Sequence, residues 1–73
     1  SLALVHALDY FVDAQTRSRV LEIAQKKNES ILEAAKELKV LPDETLEDIL
    51  DPKHLIDRKA VEEMLKRHAD ILS

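Results

Sequence analysis

The sequence contains no cysteine and no glycine. Without cysteine the chain can form neither a disulfide nor a thiolate metal site. Without glycine it lacks the loops that cradle phosphates in nucleotide-binding proteins. A helix that must end on a left-handed residue has to use another residue type, and Asn28 is the obvious candidate. We therefore expect a fold without covalent cross-links and without a glycine-rich phosphate loop.

Aromatic side chains are also scarce, since Tyr10 and Phe11 are the only two among 73 residues. The core must come from leucine, isoleucine, valine and alanine. A chain of this length buries only about 60% of the surface that its unfolded form exposes. We expect one small unit of limited stability.

The net charge of −4 is spread over interleaved acids and bases. A nucleic-acid-binding protein needs a basic face. The acidic stretch at residues 43–48 also argues against a DNA-binding helix-turn-helix formed by residues 31–50. No apolar run approaches the roughly 20 residues of a membrane span, and the N-terminus lacks a recognisable leader. We expect a cytoplasmic protein without nucleic-acid or membrane partners.

Apolar residues recur at helical spacing, and no period-two strand pattern is present. Ser30 and Glu33 form the sequence pattern of a capping box. Pro42 interrupts the chain before a second short helix, which has Leu46, Ile49 and Leu50 on its inward face. Asp51-Pro52 repeats the stop and restart. Asp57 can cap a last helix that runs to Ser73. Its inward stripe is formed by Val61, Met64, Leu65, His68 and Leu72. The sequence predicts an all-α fold, a small bundle of four to five short helices.

Residues 1–12 form the most unusual segment, because as a helix they are apolar nearly all round. Such a helix requires burial on most sides, which the remaining residues are not expected to provide. We therefore predict a partner interface on it, with the rest of a longer chain or another subunit. The predicted interface residues are Leu2, Leu4, Val5, Leu8 and Phe11. The alternative is that these side chains are covered within the fold.

We divide the chain into two parts. Residues 1–28 comprise the apolar helix and a connecting helix, and residues 29–73 comprise a C-terminal helical subdomain. No glycine or proline forces a break near Asp13, so the pattern leaves open whether the first two helices are continuous.

The candidate chemistry is sparse. His6, His54 and His68 are far apart in sequence and match no metal-ligand spacing. The carboxylates are interpreted as helix caps or solvated faces, and Ser18, Ser30 and Ser73 have no histidine near them in sequence. We predict no catalytic, cofactor-binding or metal-binding residue.

Three short stretches carry a resemblance to a known family. They are Leu4-Val5-His6-Ala7-Leu8, Ser30-Ile31-Leu32-Glu33, and residues 41–52, which read Leu-Pro-Asp-Glu-Thr-Leu-Glu-Asp-Ile-Leu-Asp-Pro. The segment from Leu4 to Leu55 thus resembles the C-terminal region of the fumarase/aspartase lyase superfamily. Tyr10, Phe11, Asp13 and Ala14 stand where that family has a proline and a Gly-Tyr pair. Asn28 and Lys39 stand where it has further glycines, and Pro42 replaces its capping serine or threonine.

The resemblance implies a small helical domain that follows a long central bundle in a homotetrameric enzyme. Such enzymes eliminate across a C–C bond to release fumarate, and their base is a serine on a Gly-Ser-Ser loop. This chain contains no such loop, so no catalytic position is carried over to it. The implied role is a non-catalytic domain that packs on the main body near the active-site mouth.

A free-standing helical protein-interaction module is the alternative function. It would self-associate through residues 2–11 and form a homo-oligomer.

Overall fold

A computed structural model of the chain describes residues 4–72, which form five α-helices joined by short loops and two 3₁₀ turns. The helices are α1 (Val5–Leu8), α2 (Ala14–Lys27), α3 (Ile31–Leu38), α4 (Asp43–Ile49) and α5 (Arg58–Arg67). The first 3₁₀ turn is Pro52–Leu55 and the second is Ala69–Ile71. No residue between 4 and 72 lies in a strand. The predicted small all-α bundle is confirmed.

Side-chain caps begin three of the helices. Oδ1 of Asp13 accepts the backbone N–H of Thr16 at 2.7 Å, and Oδ1 of Asp57 accepts that of Ala60 at 3.2 Å. The capping box of α3 is complete, because Ser30 and Glu33 each donate a backbone N–H to the other's side chain. These bonds satisfy N–H groups that have no partner inside the helix.

Two helices end on left-handed residues. Asn28 follows α2 with φ 54°, and Lys39 follows α3 with φ 53°. They are the only non-glycine residues with positive φ among residues 4–72. The prediction for Asn28 is confirmed. Lys39 is the more costly case, because its Cβ crowds the carbonyl oxygen in this conformation and its side chain offers no local compensation.

Proline and aspartate set the boundaries of α4 and the first 3₁₀ turn. Pro42 has φ −58° and ψ 145°, so the chain is extended there and α4 starts at Asp43. Asp51 caps the turn through its Oδ1, which accepts the N–H of Lys53 at 3.0 Å. Pro52 occupies the first position of the turn, where its missing N–H is no loss.

The core lies where these elements converge. The side chains of Leu8, Val20, Leu46, Ile49 and Met64 are completely buried. Ala34 and Ala35 on α3 are also buried, which lets α3 pack closely against α2 and α4. Since these residues come from every helix, burial joins all five into one cluster.

The N-terminal segment is shorter as a helix than its apolar pattern suggested. Helix α1 ends at Leu8, and residues 9–12 turn before the Asp13 cap. Asp13 has an extended backbone, with φ −76° and ψ 168°, so α1 and α2 are separate. The turn directs Phe11 back into the core, where it is 6% exposed.

The C-terminal end also differs from the pattern. We expected Leu72 on the inward stripe of the last helix, and this was wrong, because α5 stops at Arg67 and Leu72 is 44% exposed. Among residues 4–72 no helix combines the length and the apolar character that a bilayer crossing requires.

Candidate functional site

The three histidines lie in different environments. Nδ1 of His6 is 3.6 Å from Oδ2 of Asp9 at the surface. Nδ1 of His54 is 3.0 Å from the carbonyl oxygen of Ile49. Because a carbonyl only accepts, Nδ1 carries a proton and donates this hydrogen bond. Within residues 4–72, no three His, Cys, Asp or Glu side chains are grouped to hold a metal ion.

His68 belongs to an ionic cluster that joins α4 to α5. Its Nε2 donates to Oδ2 of Asp48 at 2.6 Å. Arg67 binds the same carboxylate twice, with Nε 3.0 Å from Oδ2 and Nη2 2.9 Å from Oδ1. The hydrogen bonds from Arg67, followed by that from His68, hold the pKa of Asp48 below its ordinary value although partial burial opposes them.

The same histidine connects the cluster to the N-terminal segment. The rings of Phe11 and His68 meet edge to face, with centroids 6.1 Å apart and an interplanar angle of 87°. Asp48, His68 and Phe11 therefore form a chain of contacts from α4 through α5 to the turn after α1. These contacts fix the positions of α4, α5 and the turn after α1 relative to one another.

A carboxylate pair lies at the junction of α2 and α3. Nζ of Lys27 is 2.9 Å from Oε2 of Glu37. Glu29 is half-buried beside them, and its Oε1 is buried without a hydrogen bond to any residue between 4 and 72. Desolvation, followed by the negative charge of Glu37, raises the pKa of Glu29. The ionised carboxylate is therefore unfavourable here in the folded protein.

A groove opens between α1, the first 3₁₀ turn and α5. Its volume is about 190 Å³. It is lined by Leu4, His6, Ala7, Tyr10, His54, Leu55 and Val61. Five of these side chains are apolar or aromatic, and the two histidines are its polar members.

Large apolar side chains are exposed at this end of the molecule. Tyr10 is 48% exposed and Leu55 is 46% exposed, and both line the groove. Ile56 follows Leu55 and is 90% exposed. An isolated exposed apolar residue is ordinary on a protein surface, whereas neighbouring ones beside a groove mark a docking surface. We call the groove and Ile56 together the apolar end.

Most of the residues predicted to form a partner interface are buried in the single chain and do not lie at the apolar end. Val5, Leu8 and Phe11 are buried within the chain, at 3%, 0% and 6% exposure. Leu4 is half-buried and lines the groove, and Leu2 lies outside the described residues. A partner interface on these five residues stays a prediction. In the single chain, three of them serve the core.

Two functional features were missed by the sequence reasoning. Asp48 was interpreted as part of a solvated helix face, because its partners lie 19 and 20 residues away. Ile56 was not singled out, since its exposure depends on how the 3₁₀ turn leaves α4. A local signal exists only for Ile56, which directly follows the apolar Leu55 and lies four residues after Pro52.

Comparisons with known protein families, with curated proteins and with solved structures find no match to this chain.

Proposed function

We propose that the chain is a non-catalytic helical domain that packs against a larger protein body, of the kind that ends fumarase/aspartase-type lyases. The observation that carries this proposal is the backbone at Asn28 and Lys39. These two residues stand where the family resembled by the sequence has glycine, and both have positive φ, at 54° and 53°.

This argument concerns the backbone at Asn28 and Lys39, which lie outside the three stretches that suggested the resemblance. A left-handed residue is unfavourable for every amino acid with a Cβ, so glycine is the usual occupant. The resemblance also places a Gly-Tyr pair within residues 10–14, where no residue has positive φ. At its other two glycine positions, Asn28 and Lys39, the fold of this chain does have left-handed geometry. This agreement supports a backbone conformation like that of the resembled family at the ends of α2 and α3.

The packing role rests on the apolar end. Leu55 and Ile56 are exposed beside a groove that a neighbouring side chain can enter. A larger body that covered this end would remove that apolar surface from water, which favours association. The domain would help to shape the active-site mouth of a cytoplasmic, tetrameric lyase while its parent supplied the catalytic serine.

The first experiment concerns the natural coding sequence. We expect it to encode, upstream of Ser1, a Gly-Ser-Ser loop followed by Met-Pro and Lys-x-Asn. Removal of residues 30–73 from that parent is expected to reduce fumarate formation, whereas Ser18→Ala, a change on an exposed position of α2, should not. A coding sequence without such a loop contradicts the lyase proposal.

One observation favours the second candidate, a free-standing interaction module. Because Val5, Leu8 and Phe11 are buried within the chain, the N-terminal segment is covered in part by the chain's own residues. Sedimentation of the 73-residue chain at several concentrations separates the two functions. A stable dimer at all concentrations supports the module, and aggregation of the isolated chain supports the domain of a larger protein.

A further inference from the structure

Residues 53–59 combine the most exposed apolar side chain in the described structure with three cations. Ile56 is 90% exposed. Lys53, Arg58 and Lys59 flank it in sequence, and all three are exposed. A partner that is complementary to this segment must offer an apolar contact for Ile56 and negative charge for the cations.

These cations are poorly neutralised within the chain. Among residues 4–72, Arg58 and Lys59 form no ion pair, and Nζ of Lys53 reaches Oδ2 of Asp51 only at 3.9 Å. Elsewhere, five basic side chains pair with a carboxylate at 3.3 Å or closer. They are Arg17, Arg19, Lys27, Lys36 and Arg67. The positive charge around Ile56 is therefore available to a partner.

The helix itself adds to this positive charge. Arg58 and Lys59 occupy the first two positions of α5, whose first turn contains no acidic residue. The N-terminal end of a helix carries a partial positive charge, so cations there are unfavourable in the isolated chain. The nearby acid Asp57 has its Oδ1 engaged by the N–H of Ala60. A carboxylate from outside would relieve this unfavourable arrangement.

The groove lies next to the same segment. Leu55 lines it together with Leu4 on one side and Val61 on α5 on the other. Arg58 is one helical turn before Val61, so a ligand in the groove approaches the start of α5. Apolar anchors in a groove between helices, with charges at its border, are typical of recognition of an amphipathic helix.

We propose that residues 53–59 and the adjoining groove bind an acidic amphipathic helix. Apolar side chains of that helix cover Ile56 and enter the groove, and its carboxylates pair with Arg58 and Lys59. This assignment rests on the proposed packing function and names the chemistry of the partner surface. A short acidic helix fits better than an anionic membrane or a nucleic acid, because it contacts only the local cations, whereas an extended polyanion also meets the rest of a chain whose net charge is −4.

The test selects partners by charge. A displayed library of amphipathic helices has leucine fixed on one face, and its flanking positions are drawn equally from Glu, Lys and Ser. We expect the peptides selected on the 73-residue chain to be enriched in Glu over Lys. Peptides without Tyr or Trp can then be titrated by the fluorescence of Tyr10, the only tyrosine in a chain without tryptophan.

Two charge-reversal variants provide the decisive comparison. The triple variant Lys53→Glu, Arg58→Glu and Lys59→Glu is expected to weaken binding of the selected peptides by about tenfold, and to select Lys-rich peptides instead. The matched control is Lys26→Glu, Lys39→Glu and Lys66→Glu, which reverses the same amount of charge at exposed positions elsewhere. It should retain the preference for Glu. Far-UV circular dichroism verifies that both variants are folded.

Each remaining outcome counts against the proposal. Selection of no peptide overturns it, as does a preference for Glu that survives in the triple variant. Binding to vesicles of equal parts phosphatidylcholine and phosphatidylserine without peptide binding overturns it in favour of a membrane. The selected peptides can also bind the wild-type chain without any preference for Glu and lose that binding in Ile56→Ser. In that case the packing function stands and the acidic partner is wrong. If Ile56→Ser changes nothing, the apolar end is not the docking surface.

Discussion

His68 donates a 2.6 Å hydrogen bond from Nε2 to Oδ2 of Asp48, although 20 residues separate the two in the sequence. The same carboxylate receives both Nε and Nη2 of Arg67. Bidentate, charge-assisted bonds are the strongest of the common hydrogen bonds. The side chains of Asp48 and His68 are 26% and 19% exposed, so water screens this pair less than the surface pairs of the chain. This cluster is therefore the main polar connection between α4 and α5.

Asp48→Asn should destabilise the fold by about 1–2 kcal/mol, because it removes the charge to which Arg67 and His68 bind. The control is Glu47→Gln on the same helix. Glu47 pairs with Lys36 at 3.0 Å in a more exposed position, and its loss should cost less than about 1 kcal/mol. Urea denaturation followed by circular dichroism measures both. Equal effects of the two variants would contradict the special role of Asp48.

The stability that Asp48 contributes should depend on pH. Its pKa is lowered in the folded state, first by the hydrogen bonds from Arg67. A carboxyl with a lowered folded pKa stabilises the protein above its unfolded pKa of about 4, and this contribution is lost as pH falls through the folded value. The difference in unfolding free energy between wild type and Asp48→Asn should therefore be full at neutral pH and shrink in acid. A difference that stays constant across this range would refute the linkage.

Glu29→Gln should stabilise the protein at neutral pH. Desolvation and the charge of Glu37 raise the pKa of Glu29 in the folded state, so the ionised form is disfavoured by folding. The amide removes that charge, and the gain should vanish in acid, where the wild-type carboxyl is itself protonated. Glu62→Gln removes the same charge from an exposed position on α5 and serves as control. Thermal unfolding of both variants at two pH values tests the prediction, which fails if Glu29→Gln is destabilising at neutral pH.

Lys39→Gly should stabilise the fold by about 0.5–1 kcal/mol. Lys39 has φ 53°, where glycine avoids the Cβ clash, and the greater freedom of glycine in the unfolded chain offsets part of the gain. Lys39→Ala is the matched control, because it removes the same side chain but keeps the Cβ. Denaturant midpoints should rise for glycine and not for alanine. A rise of the same size in both would assign the effect to the lost charge.

Leu8→Ala should destabilise the fold by about 2–5 kcal/mol, which approaches the whole stability of a chain this small. Leu8 is 0% exposed and lies in the core. Leu55→Ala, at a residue that is 46% exposed, should cost much less. Circular dichroism and denaturant titration compare the two. If Leu8→Ala leaves the stability unchanged, the N-terminal segment does not belong to the fold of the single chain.

The positive φ of Asn28 and Lys39 bears on the proposed domain through the resemblance to lyase C-terminal regions, which supplies the two glycine positions. The residues predicted from the sequence to form the interface differ from those that are exposed in the structure. Val5, Leu8 and Phe11 are buried in the core of the chain, whereas Leu55 and Ile56 are exposed. A single Ile56→Ser substitution is therefore the sharpest probe of docking, since it removes apolar contact without opening a cavity.

Local signals were sufficient for several helix boundaries, although they left open the break before α2 and placed the end of the last helix too late. Asp13, Ser30 and Asp57 cap the helices that follow them, and Asn28 ends α2, because each interaction spans only a few residues. Helical periodicity likewise predicted the burial of Leu46, Ile49 and Leu50, since one face of a short amphipathic helix has to meet the core.

Tertiary packing decided the rest. An apolar pattern shows that residues 1–12 require burial, but it does not show whether the cover comes from this chain or from another. Only the turn at residues 9–12 brings Leu8 and Phe11 into the core. The pairing of Asp48 with His68 and the exposure of Ile56 depend on how α4, the first 3₁₀ turn and α5 are placed relative to one another. Contacts between residues distant in sequence leave no periodic signal, so the folded arrangement alone defines them.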